Sequence, residues 1–317
     1  MTLAPGAYYL VGPTASGKTA CAQRLAESTG ADLLSADALL VYRGMDLGTA
    51  KPPAAERAGV RYGGMDLVSP GETCSVTVWL AAARAFLAET KRAGRPLLVV
   101  GGTGFYLKAL TEGLDEGAPP DPAARARWQA VFDRSGVAGL QAELQAQGAL
   151  AMVPPGDMDN PRRLMRALER SADGPAARPA NWVAPTATAT APTFAGLAWS
   201  RDALAGRIET RVDAMFAAGL LDEVARLMSA GLASATTARQ AIGYAEAIEV
   251  LAGRMSEADA RERTAARTRQ LAKRQRTWFR HQAQVIWIDA DQANSVETLA
   301  QQVYSVWQQT GPAPWPE

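Results

Sequence analysis

Three observations predict an α/β fold: a mainly parallel sheet flanked by helices, of the P-loop type, with a small helical insertion domain. Short apolar runs alternate with longer helical patterns along most of the chain, as strands and covering helices do in parallel sheets. A glycine-rich phosphate loop sits at the first strand-to-helix junction. One internal stretch breaks the alternation and contains helical patterns only.

Ala7 to Val11 is an apolar run of strand length, and Gly12-Pro13-Thr14-Ala15-Ser16-Gly17-Lys18-Thr19 follows it as a full GxxxxGK[ST] loop, of the nucleotide- and ATP-binding kind. Gly12, Thr14, Ala15, Ser16 and Gly17 are expected to offer donors at a helix N-terminus. Lys18 should meet phosphate oxygens, and Thr19 should ligate Mg²⁺. By itself the loop reports only a chain of phosphate oxygens, so it fits a nucleoside triphosphate and a simple diphosphate equally well. The second strand, Asp32 to Ser35, runs into "ADALLVYRGMDLGTAKP", which sets Asp37 at the carboxyl edge of the sheet, where ligands bind in open α/β folds. Asp37 is the candidate base, and the same residue can serve as a helix N-cap.

The third strand, Pro96 to Val100, leads to Gly101-Gly102-Thr103-Gly104 and not to the acidic residue a P-loop ATPase would carry there. These glycines permit close backbone approach, and Thr103 can donate to a ligand oxygen. From Asp121 to about Thr193 the pattern changes to helices around Ala123 to Gln147 and Arg162 to Arg170, then to "GPAARPANWVAPTATATAP", read as a mobile return linker. The expected organisation is therefore a core of residues 1–120 and 194–317 with an insertion and linker at 121–193. Phe194 to Trp199 and Gln284 to Ile288 complete the expected strands, with amphipathic helices between Arg201 and Arg280.

The formal charge of +1 excludes a generally basic protein, so a nucleic-acid role must rest on local clusters. One is "RERTAARTRQLAKRQRTWFRH", residues 261–281, in which Glu262 is the single acid among Arg261, Arg263, Arg267, Arg269, Lys273, Arg274, Arg276 and Arg280. Its i,i+4 like-charge pairs repel unless an anion offsets them, which points to a polyanionic partner. Another is the helix carrying Arg162, Arg163 and Arg166. Two cysteines, Cys21 and Cys74, make no disulfide framework, and the N-terminus has no secretory pattern, so a cytoplasmic protein is expected. No window approaches the ~18 apolar residues of a membrane span.

Taken together, "GPTASGKT", "SADALLVYRGMDLGTAKP", "VGGTGFYLKAL", "NPRRLMRALE", "RIETRVDAMFAAGLLDEV", "AIGYAEA" and "TRQLAKRQRTWFR" resemble the tRNA dimethylallyltransferase family, in family order and over most of the chain. The resemblance implies transfer of a dimethylallyl group from dimethylallyl diphosphate to the exocyclic N6 amine of the adenosine 3′ of the anticodon. It implies that Asp37 is the base, that Lys18, Thr19 with Mg²⁺, Thr103 and Arg211 serve the diphosphate, and that the insertion grips the anticodon stem-loop of tRNA. It also places Asp37, Ala38, Leu39, Leu40, Arg162, Arg163, Arg166, Gln240, Gly243 and Tyr244 against tRNA, with Lys273 and Arg276 nearby, in a monomer that meets no membrane. The target base would leave its stack before reacting, as enzymes acting on bases require. The chain departs from the family at Ala38, where a serine is usual, and at Tyr62-Gly63, where a histidine pair is usual. The competing readings are a P-loop small-molecule kinase with ATP in the loop, an isopentenyltransferase acting on free adenine nucleotides, and a non-catalytic RNA-binding protein. The two basic clusters argue against a small acceptor.

Overall fold

A central parallel strand is covered by helices on both faces and can be apolar at every position. The first strand, β1 (Ala7–Val11), is buried throughout. In the computed structural model, which describes residues 1–57, 59–114, 121–171 and 192–316, the phosphate loop leads from it directly into α1 (Lys18–Thr29). There follow β2 (Asp32–Ser35), β3 (Tyr62–Gly63), α2 (Val76–Arg92), β4 (Leu97–Gly101) and α3 (Gly104–Glu112). Next come α4 (Pro122–Ala146) and α5 (Pro161–Ser171), then β5 (Thr193–Ala198). The chain continues through α6 (Arg201–Ala217), α7 (Leu220–Ser229), α8 (Tyr244–Leu251) and α9 (Glu257–Gln282) to β6 (Gln284–Asp289) and α10 (Val296–Thr310).

The strands form one six-stranded sheet in the order β3-β2-β4-β1-β5-β6, parallel at every pairing. All five expected strands are present. The third begins at Leu97, since Pro96 lacks an N–H; the Pro96 carbonyl accepts from Asp32 N–H at 3.0 Å. β3 was not expected. Tyr62 and Gly63 pair with Leu33 and Leu34, the Tyr62 hydroxyl bonds Gln23, and a Cβ on Gly63 would lie 2.5 Å from the Phe86 ring. The replacements for the usual histidine pair thus have packing of their own.

The chain divides into one unit of Met1–Thr111 and Ala187–Glu317 and a second of Glu112–Thr186. In the first, α1 and α10 cover one sheet face in a core that includes Leu10, Leu25, Leu98, Val303 and Trp307. Trp307 Nε1–H donates to the Tyr9 carbonyl at 3.3 Å, and Ala7 pairs with Ala313 across an isolated bridge, so the last helix closes over the first strand. In the second unit α4 and α5 share a core that includes Trp128, Leu140, Leu144, Leu164 and Leu168. The run expected to be helical around Ala123 to Gln147 is broken at Gly136, whose φ of 62° is left-handed, so α4 is two helical segments joined at a kink. The Pro-, Ala- and Thr-rich return linker lies, except at its last residue, outside the described residues.

Candidate active site

The chain leaves β1 and must turn sharply to present amide hydrogens in one direction. Gly12 (φ 148°), Gly17 (φ 88°) and, against its preference, Ala15 (φ 62°) supply the positive φ angles. Gly17 caps α1 without a side chain, so no side chain of the cap competes for the first amides of the helix. The loop's carbonyls are held by partners of their own. The Lys18 ammonium donates to the Pro13 carbonyl at 2.6 Å, Trp199 Nε1–H to Ser16 at 3.0 Å, and Arg207 Nε–H to Ala15 at 2.9 Å. Arg207 also stacks over the Trp199 ring at 4.3 Å.

Gln275 of α9 ties this loop to the turn after β4, accepting from Thr14 N–H at 2.7 Å and donating to the Gly102 carbonyl at 3.1 Å. Sequence reading missed Gln275, Arg207 and Trp199. Arg207 left a faint signal, since it stands one turn before Arg211 on α6; the others left none.

Asp37 follows β2, and its Oδ1 accepts from Leu39 N–H at 2.9 Å. It therefore closes a local turn and caps no helix. Thr103 Oγ1 accepts from Ala38 N–H at 3.1 Å, and Thr103 N–H donates to the Ala36 carbonyl at 3.2 Å. Thr103 thus straps the segment that carries Asp37, with its hydroxyl hydrogen left to donate. The glycines around it admit protein and not ligand: a Cβ would lie 2.1 Å from the Ala36 oxygen at Gly101, 2.4 Å from Gln275 at Gly102 and 2.2 Å from the Trp278 ring at Gly104.

Lys18, Thr19, Asp37, Arg207, Arg211 and Gln275 all border one cavity of about 740 Å³. Burial pushes the Lys18 ammonium down to about 7, with Asp37 opposing the shift and Arg211 adding to it. Burial likewise lowers Arg211, again opposed by Asp37, and Arg211 Nη2 donates to the Thr49 carbonyl at 3.1 Å. A second cavity of about 190 Å³ shares Asp37, Arg211 and Gln275 but is walled mainly by apolar groups, including Ile208, Val212, Met215, Ile242 and Leu271. The arrangement suits a ligand with a multiply charged anionic head and a short apolar body, with one carboxylate where the two parts meet.

The Arg-rich run is α9, and much of its charge is neutralised within the protein. Arg263 and Arg267 both reach the buried Glu246, Arg261 pairs with Glu257 and Asp213, and Arg269 lies 3.0 Å from Glu209. The anion required by the close arginines is thus in part a set of carboxylates from α6 and α8. Lys273, Arg274, Arg276 and Arg280 have no such ion pair among the described residues, and Lys273, Arg274 and Arg280 are exposed.

The other residues expected at RNA divide by exposure. Gln240 is exposed and Ala38 and Leu39 are half-buried, but Leu40 and Gly243 are buried and Tyr244 is wholly so, with its hydroxyl bonded to Glu223. In the second unit Arg162 is exposed, Arg163 stands 3.9 Å from Asp157, and Arg166 is tied at 3.1 Å to Glu169, which Arg125 also engages.

Among the described residues no group of His, Cys, Asp and Glu forms a metal cluster. The donors that face the cavity, Thr19 and Asp37, suit a hard cation that keeps most of its shell as water and substrate phosphate. No helix among the described residues is long and apolar enough to cross a membrane.

Residues 40–282 match the family model described as IPP transferase, and residues 5–62 match one described as isopentenyl transferase. The chain is 40% identical to a tRNA dimethylallyltransferase of Acidothermus cellulolyticus over 94% of its own length and 93% of the relative's. It is also 40% identical to one from Nocardioides, over 91% of this chain and 92% of the other. Among solved structures it is similar to a full-length tRNA isopentenylpyrophosphate transferase from Bacillus halodurans, with a TM-score of 0.68 and 32% identity over 96% of this chain and 97% of that one.

Proposed function

The chain belongs to the IPP transferase family and is a tRNA prenyltransferase, and from that premise we propose the reaction its site performs. The donor is dimethylallyl diphosphate, and the acceptor is the exocyclic N6 amine of the adenosine 3′ of the anticodon. The observation that carries this reading is the meeting of Lys18, Arg211 and Asp37 at one cavity that shares Asp37 and Arg211 with a mainly apolar one. A polyphosphate head fits the first cavity, and a five-carbon group fits beside it.

An exocyclic adenine amine is a poor nucleophile. Asp37 orients it and accepts its proton as the new C–N bond forms at the allylic carbon. The allylic C–O bond breaks, and its electron pair leaves with the diphosphate. Lys18, Arg211 and the loop amides stabilise that growing charge, and Arg207 stands beside the loop to assist. Mg²⁺, held by Thr19 and the substrate's own oxygens, would supply further neutralisation of the leaving group. Thr103 acts by holding the Ala36–Ala38 backbone and with it the Asp37 carboxylate. Exposed Arg162 and Arg163, together with Lys273, Arg274 and Arg280, supply contacts to tRNA phosphates, the former pair on the anticodon stem-loop. We take the protein to act as a cytoplasmic monomer.

Incubation with dimethylallyl diphosphate, unmodified tRNA and Mg²⁺, with ATP and AMP as parallel substrates, tests the reading. Prenylated tRNA without ATP consumption is expected. Phosphate transfer from ATP, or prenylation of AMP in preference to tRNA, would overturn it.

A further inference from the structure

Arg211 is fixed by the Thr49 carbonyl, so the position of its guanidinium is only as good as that of the turn bearing Thr49. Residues 46–51 fold back tightly: Ala50 N–H donates to Leu47 at 3.0 Å and Lys51 N–H to Asp46 at 2.9 Å, with Ala50 held at φ 51°. A non-glycine residue at such an angle costs energy that the surroundings must offset.

Those surroundings are specific. Glu223 of α7 is 3% exposed, and its carboxylate accepts from Asp46 N–H at 3.2 Å, from Leu47 N–H at 2.9 Å and from the Tyr244 hydroxyl at 2.5 Å. The Tyr244 ring at the start of α8 packs so close to Gly48 that a Cβ there would lie 2.4 Å from it. On the other flank Lys51 Nζ, itself buried, donates to the Tyr42 carbonyl at 2.7 Å and pairs with Asp46 at 2.8 Å and Asp66 at 2.6 Å. Neither Glu223 nor Tyr244 borders the two cavities that hold Asp37.

A buried carboxylate with three donors and, among the described residues, no ion pair is costly to desolvate and well satisfied only in one geometry. Hydrophobic packing alone would serve to join two helices to a loop. A carboxylate aimed at two successive backbone amides instead sets the loop's height and orientation, and the carbonyl two residues on is the one that Arg211 uses.

We propose that Glu223 and Tyr244 are positioning residues for prenyl transfer. They clamp the 46–51 turn so that the Thr49 carbonyl aims the Arg211 guanidinium at the departing diphosphate. The proposal rests on the reading of Arg211 given above. Both side chains are buried and border neither cavity, so their effect passes through Arg211.

A double-mutant cycle tests it. Glu223→Gln keeps size but puts an amide group against backbone donors, and it is measured alone, with Arg211→Ala, and against Arg211→Ala alone. Expected is a fall in kcat on the order of 10- to 100-fold for Glu223→Gln in the native background. In the Arg211→Ala background the same change should cost little, because the group it aims is gone. Tyr244→Phe, which keeps the ring on Gly48 and removes one hydroxyl, serves if Glu223→Gln does not fold, and it should show the same loss of effect. Equal factors in both backgrounds would mean a general structural role and overturn the proposal. An Arg211→Ala enzyme with native turnover would instead overturn the reading of Arg211.

Discussion

The Gln275 side chain bonds the backbone on both sides of the site, accepting from Thr14 N–H at 2.7 Å and donating to Gly102 at 3.1 Å. A single amide thus joins the phosphate loop after β1 to the turn after β4. Gln275→Leu keeps the bulk and strands both backbone groups, and a stranded buried group costs ~1–3 kcal/mol. Weakening of inorganic diphosphate binding by about tenfold is expected, read by calorimetry, with tRNA affinity unchanged. Native diphosphate affinity would show that the loop holds its shape unaided.

Lys18 should make diphosphate binding pH-dependent. In the free site burial lowers its ammonium to about 7, and an anion set against it must raise that value. Well below pH 7 the lysine is already charged and this group contributes no pH dependence. Above pH 7 it takes up a proton on binding, and affinity falls as pH rises. Calorimetry in buffers of different ionisation enthalpy at pH 8 should show proton uptake that Lys18→Ala abolishes.

Asp37→Ala should slow the chemical step ~10²- to 10⁴-fold, the usual cost of a lost general base. It should leave tRNA affinity nearly unchanged. Single-turnover rates and fluorescence anisotropy separate the two effects, and near-native turnover would remove Asp37 from the mechanism.

The arginines of α5 should not behave alike. Arg162→Ala with Arg163→Ala should raise the Michaelis constant for tRNA and lower the magnitude of its salt slope by roughly 0.7 to 0.9 per lost phosphate contact. Arg166→Ala should instead lower the thermal stability of the second unit, because Arg166 is bonded to the buried Glu169 at 3.1 Å. A salt slope unchanged in the folded double variant would move the RNA grip to the exposed end of α9.

The strands were legible because unbroken apolar runs such as Ala7–Val11 have few other uses in an α/β chain. β3 was not, because two residues carry no periodicity and Tyr62–Gly63 is a strand only by virtue of Leu33 and Leu34 beside it. The arginines of α9 were visible and their partners were not. Glu246, Asp213 and Glu209 lie on other helices, whose packing decides which carboxylate reaches which guanidinium. Lys18 and Asp37 could be found because a motif and a sheet edge fix where they stand. Gln275 and Glu223 could not, since each earns its place through backbone groups more than 170 residues away.

Trp307 on the Tyr9 carbonyl and Ala313 beside Ala7 bear on how the protein is made. The ribosome delivers the phosphate loop long before the helix that covers its strand. A chain halted before Val296 has Asp37, both cavity arginines and Gln275, yet exposes the sheet face where Leu10 and Leu98 should meet Val303. Protease applied to ribosome-arrested chains should therefore cut β1 readily until α10 has emerged, and chains arrested before that point should bind the prenyl donor poorly.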